Sequence, residues 1–191
     1  KYADKIPFYG FLALGIDNKN VKKIEKKLSK KKIYTFGLSK EANFSATKIK
    51  IVKQKELFFT DFELVENLKD QYLVKKISIP LLGSHNIQNV LGSICVARGL
   101  GVSYQQIKNA LKNFQGVKRR FSIISKSKKN LIIDDYAHHP IEISTTIKTL
   151  KDITSKKIIS IFEPHRYSRL SSMFDDFIKS FNLSDKIFLL P

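Results

Sequence analysis

From Leu131 onward the chain alternates in a way that few folds can use. Apolar runs at 131–134, 157–162 and 187–190 are separated by two stretches of helical period, Pro140 to Leu150 and Leu170 to Phe181. Strand, helix, strand, helix and strand therefore follow one another. Parallel neighbours need a crossover of a dozen or more residues, which a helix supplies. The rhythm predicts the outline of a doubly wound parallel sheet, an α/β unit. Pro140 suits a first helical turn, and Leu170, Met173, Phe174, Phe177 and Phe181 are spaced as one continuous inner face. Ligands of open α/β sheets bind beyond the carboxyl ends of the strands. Two polar clusters stand there, DDYAHHP at 134–140 and EPHRYSR at 163–169.

The preceding residues have a different rhythm. Phe8 to Ile16 reads as a buried strand, Asp17 or Asn18 as an N-cap, and Val21, Ile24 and Leu28 as the inner stripe of the next helix. Lys31 to Phe36 returns as a strand. Between Ala42 and Pro80 three short alternating runs, Lys48 to Val52, Leu57 to Leu64 and Tyr72 to Ile79, predict hairpins and a small antiparallel sheet. The period turns helical after Gly83, with Val90, Ile94 and Ala97 on one face and Gly99 and Gly101 supplying the break. Ser103 with Gln106 forms a capping-box pattern, and Ile107, Leu111 and Phe114 make an apolar stripe. Gly116 ends this unit. A strand at Ser122 to Ser125 and a polar turn over Lys126 to Asn130 open the next, which places a domain boundary at 118/119 and gives domains 1–118 and 119–191.

Composition narrows the classes of function. The net charge of +18 invites a nucleic-acid reading. Against it, only 5 of the 35 basic residues are Arg, and the lysines fall in solvated stripes such as Lys22, Lys23, Lys26 and Lys27 without interleaved aromatics. No apolar run is long enough for a membrane span and no signal-peptide pattern opens the chain, so a soluble cytoplasmic protein without membrane or nucleic-acid partners is expected. The single Cys95 lies in an apolar helical stretch and reads as a small buried hydrophobe. With one cysteine no internal disulfide forms, which fits a reducing compartment.

All four histidines and four of the five arginines sit in GSHNIQN at 83–89, VKRRF at 117–121 and the two clusters already named. Such a concentration of guanidinium and imidazole groups suggests an anionic ligand. In VKRRF, side chains alternate along an extended strand, so only one of Arg119 and Arg120 should reach a ligand. In DDYAHHP, chelation of a metal by all four of Asp134, Asp135, His138 and His139 would need an unusual turn, and a simple helix-capping turn is the bland reading. Arg166 and Arg169 lie three apart at a helix start, where they share a face and can hold a small carboxylate. Asn86 either reads a purine edge with its amide or caps the helix that follows.

GSHNIQNVLGSICVARGLG, ALKNFQGVKRRF, DDYAHHPIEI and EPHRYSRL, in this order and spacing, resemble the Mur ligase family, and FYGFLALGID resembles the late part of that family's central ATPase domain. The likeness covers nearly the whole chain and is loosest between Val21 and Pro80. Glu163 departs from it, standing where many relatives carry Gln. The resemblance implies the C-terminal part of a central ATP-binding domain followed by the first part of a Rossmann-like ligase domain. It also implies ATP-driven amide formation between L-alanine and the lactyl carboxylate of UDP-N-acetylmuramate, through an acyl phosphate, in peptidoglycan precursor synthesis. On this likeness His85, Asn86 and Asn89 meet the adenine side of ATP, Arg120 the phosphoryl group, and Asp135 the nucleotide. Tyr136, His138, His165, Arg166 and Arg169 serve the amino-acid substrate, His139 starts a helix, and Arg120, Asp135 and His138 carry the catalysis.

The implied cofactors are ATP and Mg2+. No phosphate-loop pattern G-x-x-x-x-G-K-[ST] occurs, and the magnesium ligands are expected outside this stretch, so none is assigned here. The sequence reads as a fragment that does not turn over alone. Two alternatives are a family ligase that recycles a whole tripeptide and, from another class, a basic nucleic-acid-binding module. A histidine–aspartate metal hydrolase is a third class, which predicts bound transition metal.

Overall fold

The computed structural model describes residues 3–28, 31–54, 57–69, 71–114 and 116–191. The chain divides into two compact units, Lys1–Gln115 and Gly116–Pro191.

The first unit is built on one five-stranded sheet in sequence order: β1 (Leu12–Gly15), β2 (Ile33–Gly37), β3 (Phe44–Gln54), β4 (Leu57–Leu68) and β5 (Gln71–Ile79). The β1–β2 and β2–β3 pairs are parallel, and the next two are antiparallel. The expected hairpins therefore extend the parallel strands instead of forming a sheet of their own. Asn43 secures the change of direction: its carboxamide oxygen accepts from Thr35 N and Thr35 Oγ1, and its Nδ2 donates to Asn67 O.

Helix α1 (Lys19–Glu25) is capped by Asn18, whose Oδ1 accepts from Asn20 N at 2.9 Å. It ends earlier than the stripe suggested and leaves Ile24 half exposed. Strand β1 also begins later than expected. Gly10 N donates to Pro7 O at 3.0 Å, so this stretch turns and leaves Phe8 and Tyr9 in solvent.

Along β4, Thr60, Phe62, Leu64 and Glu66 are all buried, as period two requires for a half-buried strand. Helix α2 (Ser84–Gly99) covers this face with Ile87, Val90, Leu91, Ile94 and Cys95. Each such aliphatic side chain contributes about 1.5–3 kcal/mol when fully buried. Leu100 then ends the helix, and Gly101 takes φ +84°, a left-handed turn that glycine enters without a Cβ penalty. Helix α3 (Tyr104–Asn113) opens with the predicted capping box: Gln106 N donates to Ser103 Oγ and Ser103 N to Gln106 Oε1. Its Ile107 completes the core.

The second unit pairs β6 (Ser122–Lys126) antiparallel with β7 (Leu131–Asp134), and β8 (Ile159–Phe162) parallel with β9 (Lys186–Leu189). The expectation of one parallel sheet through β7, β8 and β9 is thus corrected. Among the described residues β7 hydrogen-bonds to β6, because the polar turn closes a hairpin there. Helix α4 (Pro140–Ile153) starts with Pro140 as its first residue. The second predicted helix is broken into α5 (Tyr167–Ser172) and α6 (Phe174–Ser180) by Met173 at φ −131°, ψ 28°. That break turns Phe174 outward while Leu170, Met173, Phe177 and Phe181 remain with Ile143, Ile147 and Ile158 in the core. No helix among the described residues is long and apolar enough to cross a membrane.

Candidate functional site

In the second unit the site forms where three segments meet: the turn at 117–121, the stretch between β7 and α4, and the start of α5. Residues 119–121 are not an extended strand, so alternation does not apply. Arg120 N donates to Val117 O at 3.1 Å, and Arg119 and Phe121 take φ +59° and +51°. Two bonds hold this unfavourable backbone: Tyr136 N to Arg119 O at 2.7 Å, and Phe121 N to Asp135 Oδ2 at 3.1 Å. The same Asp135 oxygen accepts from Thr146 Oγ1 at 2.9 Å, so Asp135 ties the turn to α4.

The two arginines have different partners. Arg119 lies with Cζ 5.0 Å from the centre of the Tyr136 ring and Nε 3.5 Å from Asp134 Oδ2, a cation–π stack with an ion pair. Arg120 donates from NH1 to Glu142 Oε1 at 3.3 Å. This bond uses one of five guanidinium donors, and the side chain stays 41% exposed. Enough donors remain to fork onto a phosphate.

Glu142, in the first turn of α4, is a residue that sequence reasoning missed. Its Oε2 accepts from His138 N at 3.1 Å and lies 3.6 Å from His138 Nδ1. Burial acts to raise its carboxyl pKa, but the His138 N–H and the Arg120 guanidinium outweigh this and hold it below the usual value. Its place was visible as the fourth residue after His138, one turn into a helix begun by Pro140, where an acidic side chain suits the dipole.

His138 Nδ1 is 2.8 Å from Tyr136 O, and the two rings are 4.9 Å apart. Arg169 NH1 donates to His138 O at 3.1 Å, which brings the EPHRYSR cluster onto DDYAHHP. His139 behaves as predicted: it caps α4, its Nδ1 accepting from Ile141 N at 3.3 Å. His165 and Arg166 are exposed, and no hydrogen bond or ion pair to another described residue holds their side chains. Arg166 is the N-cap of α5 at φ +63° rather than its first turn. Among the described residues, no group of three or more His, Cys, Asp or Glu side chains is placed to hold a metal ion.

In the first unit, Gly83 takes φ +92° at the start of α2, a conformation that suits glycine. Asn86 is buried in the first turn and donates from Nδ2 to Leu82 O at 2.7 Å, so it braces the entry loop instead of capping the helix. Asn89, one turn on, is exposed, and His85 is half-buried. Gln88 was not anticipated. Its Nε2 donates to Asp17 Oδ2 at 2.6 Å, and Asp17 also accepts from the N–H groups of Leu38 and Ser39, joining the ends of β1 and β2 to α2.

Thus Arg119, Arg120, Tyr136, His138, Glu142 and Arg169 are brought together within one unit, and His85, Asn86 and Asn89 along one helix start in the other. A mixed-sheet unit is followed by a unit of strands and helices that gathers guanidinium and imidazole groups. The family models match the two parts of the chain separately: Mur ligase middle domain matches residues 3–97, and Mur ligase, glutamate ligase domain, matches residues 119–191. The chain belongs to the Mur ligase family.

Among its relatives, a UDP-N-acetylmuramate–L-alanine ligase of Rickettsia felis is 41% identical over 192 aligned residues, 98% of this chain and 40% of that protein. The protein of the same name from Rickettsia prowazekii is 40% identical, and there the match takes in 39% of the relative. The chain therefore spans about 40% of the length of these curated relatives. Among solved structures, MurF from Acinetobacter baumannii aligns with a TM-score of 0.80 at 22% identity, covering 98% of this chain and 40% of that one. The UDP-N-acetylmuramate–alanine ligase MurC from Thermotoga maritima aligns with a TM-score of 0.69 at 24% identity, covering 98% of this chain and 46% of that one. These two likenesses establish the fold.

Proposed function

We propose that this chain is part of an ATP-dependent ligase that joins L-alanine to the lactyl carboxylate of UDP-N-acetylmuramate, a cytoplasmic step of peptidoglycan precursor synthesis. The supporting observation is the 41% identity to a ligase of that name over an alignment that covers 98% of this chain. ATP supplies the phosphoryl group that turns the carboxylate into an acyl phosphate. Residues 1–118 belong to the nucleotide-binding domain and 119–191 to the start of the ligase domain.

Arg120 offsets charge on the transferred phosphoryl group, in keeping with its unspent donors. Asp135 serves the nucleotide side by fixing the backbone that carries Arg120. Asn86 and Asn89, with His85, form the adenine side. Tyr136 and His138 face the amino acid, and Arg166 and Arg169, with His165, take its carboxylate. Mg2+ belongs to the reaction; its ligands are expected outside this stretch, and no step here is assigned to it.

Alanine-dependent phosphate release by the full-length enzyme tests the reading. Arg166→Ala should raise the KM for alanine about 10-fold or more while the KM for ATP stays close to wild type. Equal rises in both constants would remove the carboxylate assignment. Preference for a tripeptide over alanine in the same assay would show a recycling ligase instead.

A further inference from the structure

We propose that Glu142 is a positioning residue that holds His138 ready to accept a proton from the incoming amine while fixing Arg120 beside it. The inference rests on reading this unit as the amino-acid site of a ligase. It concerns a residue to which neither the family resemblance nor the polar motifs give a role.

The geometry settles which nitrogen of His138 carries hydrogen. Nδ1 faces two groups that can only accept, the Tyr136 carbonyl at 2.8 Å and the Glu142 carboxylate at 3.6 Å. A neutral imidazole placed in this way bears its proton on Nδ1 and leaves a lone pair on Nε2. An amino acid arrives as an ammonium ion and must lose a proton before its nitrogen can attack. One proton passes to Nε2, the nitrogen lone pair forms the C–N bond, the acyl C–O bond breaks with its electron pair leaving on phosphate, and the second proton shed by the nitrogen goes to that phosphate.

The resulting imidazolium requires an anion nearby, and Glu142 is already in place. Its two oxygens divide the work: Oε2 receives the His138 N–H and faces the ring, and Oε1 receives Arg120. One carboxylate thus sets the distance between the proton acceptor and the cation for the phosphoryl group. This is the logic by which a buried acid orients a catalytic histidine.

The test uses the full-length ligase with ATP, magnesium, UDP-N-acetylmuramate and L-alanine. Glu142→Gln keeps the shape and one acceptor but removes the charge. We expect kcat to fall about 10- to 100-fold, with little change in the KM for the muramyl nucleotide. In a His138→Gln background the same change should cost clearly less, because one of the two partners is already gone and only the Arg120 contact remains to be weakened. Wild-type kcat in Glu142→Gln, or an equal loss in both backgrounds, would overturn the proposal. Should the variant fold poorly, 15N shifts of the His138 ring in the wild-type enzyme decide: neutral His138 protonated on Nδ1 supports it, and protonation on Nε2 overturns it. Absence of alanine-dependent phosphate release in the wild type would instead refute the ligase reading itself.

Discussion

Arg98→Met should be among the most damaging single changes in the first unit. Glu66 is 1% exposed, on the core face of β4. Its carboxylate receives Arg98 Nε at 3.0 Å, Arg98 NH2 at 3.4 Å and the Tyr104 hydroxyl. Arg98 also donates to Val102 O at 3.0 Å and stacks 4.5 Å over the Tyr104 ring, so α2, α3 and the sheet share one polar knot. Methionine preserves most of the stem but leaves a buried anion with a single donor, and breaking a buried pair in this way costs about 3–5 kcal/mol. Replacing both ends, Glu66→Leu with Arg98→Met, removes the stranded charge, and the double variant should recover to within about 2 kcal/mol of wild type. Urea unfolding followed by circular dichroism, with hydrogen exchange of the β4 amides to localise the effect, measures both. A loss below about 1 kcal/mol for the single change, or a double variant as unstable as the sum of its parts, would refute the claim that the cost lies in an uncompensated charge.

Two further outcomes follow from titrating groups. Burial, then the charge of Glu66, pushes the Cys95 thiol up to about 12, and the residue is fully buried. It should stay unlabelled by a thiol reagent at pH 8 in the folded chain and react on unfolding; rapid native labelling would contradict the burial. In the second unit the Asp185 carboxyl is lowered by the Ile158 N–H and Lys151, and the Glu142 carboxyl is lowered on balance. Groups whose folded pKa is depressed stabilise fully above their ordinary values, here 3.8 and 4.5, and lose that contribution as pH falls through the folded values. Thermal midpoints of Glu142→Gln should therefore fall less steeply than wild type below pH 4.5. Parallel curves would show that Glu142 carries no such linkage.

Much of the fold was legible because local and tertiary preferences agree. Ser103 with Gln106, Asn18 before α1 and His139-Pro140 before α4 all cap where their side-chain chemistry says they should. The failures have local causes too. Phe8 and Tyr9 look like strand but follow Pro7, whose carbonyl closes a turn, and Phe174 fits a helical stripe that Met173 interrupts. The strand at Ser122 to Ser125 and the turn before β7 were read correctly, yet periodicity carries no information on partner choice, so the β6–β7 hairpin was not anticipated. Glu142 was overlooked because a glutamate one turn into a helix is ordinary in sequence. Only the fold shows Arg120 and His138 arriving at its two oxygens.

The backbone supports placing the chemistry in the second unit. The four described non-glycine residues with positive φ are Lys48, Arg119, Phe121 and Arg166, and the last three border the polar site. Lys48 sits at a bulge between β3 and β4, where a register shift accounts for it. No bulge explains the others. A left-handed conformation costs an ordinary residue about 1–3 kcal/mol and persists only when its surroundings over-determine it. Tyr136 N–H and the Asp135 carboxylate supply that determination for Arg119 and Phe121, and the adjacent arginines are thereby sent to different partners, one onto an aromatic face and one onto Glu142. In an extended strand they would have pointed to opposite faces, and the turn brings both to the same cluster. The strained turn thus uses one arginine to stack on Tyr136 and leaves the other with donors to spare.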